Sequence, residues 1–125
     1  MAFRIRRVTI GALITLVGIP VLLILTVISA TAILDRTNGT ILSSGVERRY
    51  LLYVPSTYDR AKPTPLVISL HGVAVWPAQQ MHMTHWNRLA DEFGFIVAYP
   101  AARGRIWRVD HQRLALEQDV RFIRT

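Results

Sequence analysis

The chain has 125 residues, no cysteine, and 15 Lys and Arg against 8 Asp and Glu, a formal net charge of +7 at pH 7. That length allows one small domain at most, since domains run to roughly 100–200 residues. The missing cysteines exclude disulfide staples, thiol nucleophiles and cysteine-bound metals, and a hydrophobic share of 51% excludes disorder as the default.

The first element is apolar. Arg4, Arg6 and Arg7 precede a run from Val8 to Leu34 without a single charge, and Asp35-Arg36 closes it. About 20 apolar residues cross a bilayer core, so the run predicts a transmembrane helix, with Gly18 and Pro20 tolerated inside it. The three arginines hold the N-terminal tip in the cytoplasm and send everything after Leu34 outside. Residues 1–34 therefore read as a cytoplasmic tip and signal anchor in the inner or plasma membrane. Ala30-Thr31-Ala32 has the small-x-small pattern of a signal peptidase site, and cleavage after Ala32 is the alternative that would make the remainder a secreted protein. The apolar stretch is longer than a usual signal core, which favours the uncleaved anchor.

Residues 35–39 are small and polar, a linker. Thr40 to Ser43 and Val46 to Val54 read as two strands about Ser44-Gly45, an antiparallel hairpin that Pro55 ends. Ser56 to Pro65 is a loop. Leu66 to Leu70 and Phe95 to Tyr99 are continuous apolar runs of the kind that a parallel sheet covered on both faces requires. Between them a helix is predicted from Pro77 to the residue before Gly94, with Trp86, Leu89, Ala90 and Phe93 on its sheet-facing side. This strand-helix-strand unit implies a right-handed crossover. A loop with arginines and glycine runs on to Asp110, and a second helix follows, with Leu116, Val120 and Ile123 on one face and a Glu117 to Arg121 pair on another. The fold class is α/β, and residues 40–125 form a hairpin followed by β-α-β-α in which no strand covers the last helix.

From Asp35 onward twelve basic residues face eight acidic ones with the signs interspersed, and no basic stripe carries interleaved aromatics. No nucleic-acid partner is expected. His71-Gly72 directly follows the first parallel strand. A loop leaving the C-terminal end of such a strand can aim backbone N–H groups at a developing oxyanion; its plainer reading is a strand-ending turn. His82 and His85 form half of a metal site at best, with His71 or His111 to join them, but no third ligand falls at regular spacing, and neither a metal nor any other cofactor is expected. Trp76 and Trp107 are candidates for lining an acyl or aromatic cleft, with loop or core packing as the plainer role. Asp110 and Asp119 read as surface or helix-start groups. Arg103, Arg105 and Arg108 form a positive cluster on a loop, solvated by default, with attraction of acidic substrates as the lesser reading.

Five strings occur in order: R-Y-x-x-Y-V-P from Arg49, P-L-V-x-x-L-H-G from Pro65, W-N-x-L-A-D from Trp86, G-F-I-V-A-Y-P from Gly94 and D-V-x-F-I from Asp119. Together they resemble the N-terminal half of the polyhydroxybutyrate depolymerase and feruloyl esterase group of α/β-hydrolases, from about Val46 to the last residue. The resemblance implies an oxyanion-hole loop at His71, Gly72 and Val73, with the N–H after the glycine as donor, and an ester as substrate. Val73-Ala74-Val75-Trp76-Pro77 stands where members commonly have a cysteine or small residue and further glycines. The resemblance also implies a nucleophilic serine in a G-x-S-x-G elbow on the strand after the last helix, with the triad's acid and histidine later still. No G-x-S-x-G occurs in these residues. Ser43, Ser44 and Ser69 are no substitutes, the first two sitting at a hairpin turn and the third in a buried strand. The chain is thus expected to carry no catalytic residue and to be inactive as it stands, the N-terminal part of a membrane-anchored or secreted serine ester hydrolase; the alternative is a small, non-catalytic, membrane-tethered binding protein or a decayed hydrolase.

Overall fold

The computed structural model describes residues 14–108 and 113–125. The chain divides into two units that meet at Ile33 and Leu34, and each is described by itself.

The described part of the first unit is a π-helical turn at Ile14–Gly18 that continues as helix α1, Ile19–Leu34. Pro20 lies inside this continuous helix, just past the π-helical turn, and has no N–H to give to the preceding turn, a loss that helices of this apolar kind tolerate. Over the 20 residues Thr15–Leu34 the mean hydropathy is 2.5. Thr26 and Thr31 donate to the carbonyls of Leu23 and Ile28, at 2.7 and 2.9 Å. The helix is long and apolar enough to cross a membrane.

The second unit is a mixed four-stranded sheet. Its strands are β1 (Gly39–Ser43), β2 (Val46–Tyr53), β3 (Leu66–Ile68) and β4 (Ile96–Pro100), in the spatial order β1-β2-β4-β3. β1 and β2 form the expected antiparallel hairpin, with Ser43 opposite Val46. Ser44 and Gly45 both have positive φ, 54° and 73°, the type I′ geometry whose twist matches that of the strands. β2 runs antiparallel to β4, and β4 is parallel to β3, with Val67 opposite Val97. Residues 35–39, expected as a linker, include two that bond to β2. Arg49 Nη2 donates to both carboxylate oxygens of Asp35 at 3.0 Å, and Asn38 clasps the N–H and C=O of Leu52 at 2.7 and 2.8 Å.

The single helix predicted between the parallel strands is two helices, α2 (Pro77–Thr84) and α3 (Trp86–Phe93). His85 separates them in the left-handed region at φ 55°. Gly94, at φ 71°, caps α3 and donates its N–H to the Ala90 carbonyl. The kink redirects the second helix, and Phe93, expected on the sheet, is 68% exposed. What packs on the sheet is Ala78 and Ala90, fully buried against Leu51, Val97 and Tyr99, with Tyr53, Val67, Met81, Trp86 and Phe95 around them. Small side chains on the helices let backbone and strand approach closely.

The last helix, α4 (Arg113–Arg124), lies against the other face of the sheet. Among its described side chains Asp119 and Phe122 are buried, whereas Val120, on the predicted apolar face, is exposed. Asp119, expected at the surface, is thus inside, and its partner is Arg48 of β2 at 2.8 Å, itself 2% exposed. The Arg48 guanidinium also lies 4.1 Å from the centroid of the Phe122 ring. The expected Glu117 to Arg121 pair is not among the ion pairs of the described residues. Beyond α4 this face is open. A cavity of about 210 Å³ runs over it, walled chiefly by Ile41, Leu52, Leu66, Ile68 and Phe122. Leu66 and Ile68 are 55% and 40% exposed, so β3 is covered on one face only, not on both as its unbroken apolar run predicts.

Asp119→Ala strands the Arg48 charge in the interior and is expected to cost about 3–5 kcal/mol in a urea melt, the usual cost of breaking a buried pair from one side. The Tyr53 hydroxyl donates to Asp91 at 2.6 Å, and this bond raises its pKa above 10.0; burial raises that of Tyr99 as well. Both phenols hold their protons more tightly folded than unfolded. Their contribution is complete below the unfolded value and is lost as pH rises through the folded one, so the urea midpoint at about pH 11 is expected below that at about pH 9, with a smaller drop in Tyr53→Phe.

Candidate functional site

Parallel strands β3 and β4 end side by side, and the loops leaving their C-terminal ends meet there. The parallel ladder runs one bond past β3, from the Ser69 N–H to the Ala98 carbonyl at 2.9 Å. His71 follows, and it is 3% exposed. Its ring bridges the two loops. Nδ1 lies 2.7 Å from the Gly72 carbonyl, and Nε2 lies 3.2 Å from the backbone nitrogen of Ala102, beyond β4. A carbonyl only accepts and a backbone N–H only donates, so the geometry assigns the proton to Nδ1 and the lone pair to Nε2. With both nitrogens spent on backbone groups, His71 is a fastener. It has neither nitrogen left for proton transfer or for a metal.

The His71 carbonyl accepts from Trp107 Nε1 at 3.0 Å, and the two rings lie 5.3 Å apart. Trp107 in turn stacks on Phe122 at 6.5 Å with an interplanar angle of 19°. Phe122 carries the Arg48 guanidinium, Arg48 pairs with Asp119, and the second oxygen of Asp119 accepts the Arg108 N–H at 2.9 Å. A continuous run of contacts thus ties the loop after β3 to the loop after β4, to α4 and to β2. Trp107 belongs to that run, packed between His71 and Phe122. Asp119 is the residue that sequence reasoning missed. Its signal was the alternation in β2, which puts Arg48, Tyr50 and Leu52 on one face and so demands an acid beside an inward arginine.

Gly72 and Val73 lie at the free edge of this arrangement. Val73 is 72% exposed, and neither its N–H nor that of Gly72 is bonded to any described residue. The flanking groups are tied: the Val75 N–H approaches the Gly72 carbonyl at 3.4 Å and the Ala74 N–H donates to the Arg105 carbonyl at 2.9 Å. A loop fixed on both sides with two N–H groups unspent is what stabilising an oxyanion requires, since donors held in place need no reorganisation as charge develops. Trp76 sits half-buried just before α2, with the Arg105 guanidinium 4.6 Å from its ring centroid. Trp76 and Arg105 therefore flank the loop, whereas Trp107 supports it from beneath.

The other candidates do not join them. Ser69 is buried, and its hydroxyl accepts from Gln80 Nε2 at 3.1 Å. Ser43 bonds to Thr125 at 3.3 Å at the far end of the sheet. His82 and His85 are exposed on the kinked helix pair, and among the described residues no group of three His, Cys, Asp or Glu is close enough for a metal. Asp110 and His111 lie outside the described residues.

No family model matches the chain. A bifunctional acetylxylan esterase/xylanase from Neocallimastix patriciarum is 45% identical to it over 56 residues, a segment that is 45% of this chain and 8% of that protein's length. The chain therefore contains an esterase-related region.

His71→Ala removes the ring's one bond to the loop after β4, leaving the Ala102 N–H without a partner among the described residues, and strips the Gly72 carbonyl of its shorter bond, so that only the long contact from the Val75 N–H remains there. The expected loss is about 1–3 kcal/mol, read as a lower urea midpoint, together with faster hydrogen exchange at the Ala102 amide and the Trp107 indole.

Proposed function

We propose that this chain is the N-terminal part of a serine ester hydrolase of the polyhydroxybutyrate depolymerase and feruloyl esterase kind, held at the outer face of a membrane by its apolar helix. The observation that carries the reading is the pair of unspent N–H groups at Gly72 and Val73, on a loop pinned at the C-terminal ends of β3 and β4. The esterase-related segment supports the same chemistry. In the whole enzyme, a serine outside these residues attacks the ester carbonyl and the carbonyl oxygen becomes an oxyanion. The Val73 N–H and the N–H after that serine hold the charge; the alcohol leaves, and water then releases the acid. The outward placement is supported by Arg4, Arg6 and Arg7, which precede the apolar run whose residues Ile19–Leu34 form α1, because positive charges favour the cytoplasmic end of a membrane helix. These residues alone supply an oxyanion loop without a nucleophile.

Fluorophosphonate labelling and p-nitrophenyl acetate turnover of the purified 125-residue chain are therefore expected to match buffer. Turnover that a serine inhibitor abolishes would place the nucleophile among these residues and overturn the division of labour. Reading the coding DNA past Thr125 in three frames is expected to uncover a G-x-S-x-G; a long stretch without one leaves the non-catalytic, tethered protein as the answer. Orientation has its own measurement: alkaline phosphatase fused after Thr125 is expected to be active in a bacterial host, and an inactive fusion would put the sheet in the cytoplasm.

A further inference from the structure

Resting on the esterase reading of the Gly72–Val73 loop, we propose that Arg105 is a carboxylate-recognition residue and that the site takes esters carrying a negative charge beside the reacting carbonyl. Arg105 stands in a turn of its own, Arg103–Arg105, directly after β4. It occupies the left-handed region at φ 62°, and so does Ala74 at φ 61°, a conformation that side-chain-bearing residues seldom adopt. The two are joined, because the Ala74 N–H donates to the Arg105 carbonyl at 2.9 Å. Paired residues in sparsely populated backbone regions persist where surrounding structure over-determines them, and such positions cluster at ligand clamps. One bond thus fixes the arginine to the loop whose next residue back, Val73, has its N–H unspent.

The side chain is held in a particular way. Its guanidinium lies 4.6 Å from the centroid of the Trp76 ring. The ring attracts and holds the cation, and the guanidinium N–H donors, which no described residue occupies, are suited to meet a carboxylate with two parallel hydrogen bonds. Arg105 is exposed and forms no ion pair or side-chain hydrogen bond with any described residue. The neighbouring arginines differ. Arg48 is committed to Asp119 and Arg49 to Asp35, while Arg103 lines a cavity of about 240 Å³ together with Glu47. Arg105 alone among these four combines a fixed platform, an open donor edge and a direct bond to the candidate oxyanion loop. A neutral ester gains nothing from such a group; an acyl or alcohol moiety bearing a carboxylate does.

The test uses the whole chain in nonionic detergent, with D-glucuronate as the probe and glucose as its uncharged counterpart. Nitrogen-15 spectra report the Trp76 indole, assigned through Trp76→Phe, and the Ala74 amide. Glucuronate is expected to shift both saturably and glucose neither, with the response weakening as salt rises. Arg105→Asn removes the charge while keeping a residue suited to left-handed backbone, and is expected to weaken binding about tenfold or more. Trp76→Leu removes the platform without touching the charge and is expected to weaken the Ala74 response, so it decides the matter should Arg105→Asn fail to fold. An equal response to glucose, or an unchanged response in either folded variant, overturns the proposal. These results are independent of the esterase reading, which stands or falls on the nucleophile downstream: carboxylate binding with no G-x-S-x-G leaves a carboxylate-binding tethered protein, and a G-x-S-x-G without carboxylate binding leaves an esterase for neutral substrates.

Discussion

The inward guanidinium of Arg48 is the constraint around which the second unit is assembled. A charge 2% exposed on a central strand is tolerable only with a partner, and Asp119 supplies it from a helix 71 positions later in the sequence. That demand sets which side of α4 faces the sheet. It overrides the apolar stripe of Leu116, Val120 and Ile123, leaving Val120 exposed and bringing Asp119 and Phe122 inside. Because Asp119 also accepts from the Arg108 backbone, the same carboxylate fixes the loop after β4. Phe122 then supports Trp107, and Trp107 holds the His71 carbonyl. The geometry at Gly72 and Val73 is thus established from the opposite face of the sheet.

This arrangement explains how an exposed loop stays ordered on so small a core. The usual supports of an α/β site are a wide sheet and helices on both faces. Here Ala78 and Ala90 bring α2 and α3 tight against Leu51, Val97 and Tyr99 on one face only. The other face has α4 at the hairpin end, and Leu66 and Ile68 remain open to solvent. Hydrogen bonds to fixed backbone groups and stacked rings supply at the loop what apolar burial does not. His71 has the central part, since each of its ring nitrogens is bonded to the backbone of a different loop.

Local signals carried much of this into view. The hairpin was legible because Ser44-Gly45 suits positive φ at both positions of a tight turn, and β4 because Phe95 to Tyr99 is apolar without interruption between Gly94 and Pro100. The helical character of residues 77–93 was legible too, from Pro77 at its start and Gly94 at its end. The break at His85 was not, because nothing in Thr84-His85-Trp86 opposes a continuous helix. Of the site, the position of His71-Gly72 after a parallel strand was readable from pattern alone. The part played by Trp107 was not, since an indole in a loop reads equally as cleft wall or as packing until its Nε1 is seen to meet the His71 carbonyl.

The sequence by itself determined the apolar helix, the order of strands and helices, the absence of cysteine chemistry and the esterase-like strings. Each depends on residues close together in the chain, where spacing and side-chain type act directly on the backbone. Only the tertiary structure decided which charges are buried, where the helix breaks, which face of β3 stays open and which N–H groups remain unspent. Those outcomes are set by contacts between distant segments: Arg48 with Asp119, His71 with Ala102, Ala74 with Arg105. A buried charge or an unpaired donor has a cost that depends on what lies opposite it in space, and local periodicity carries no record of that.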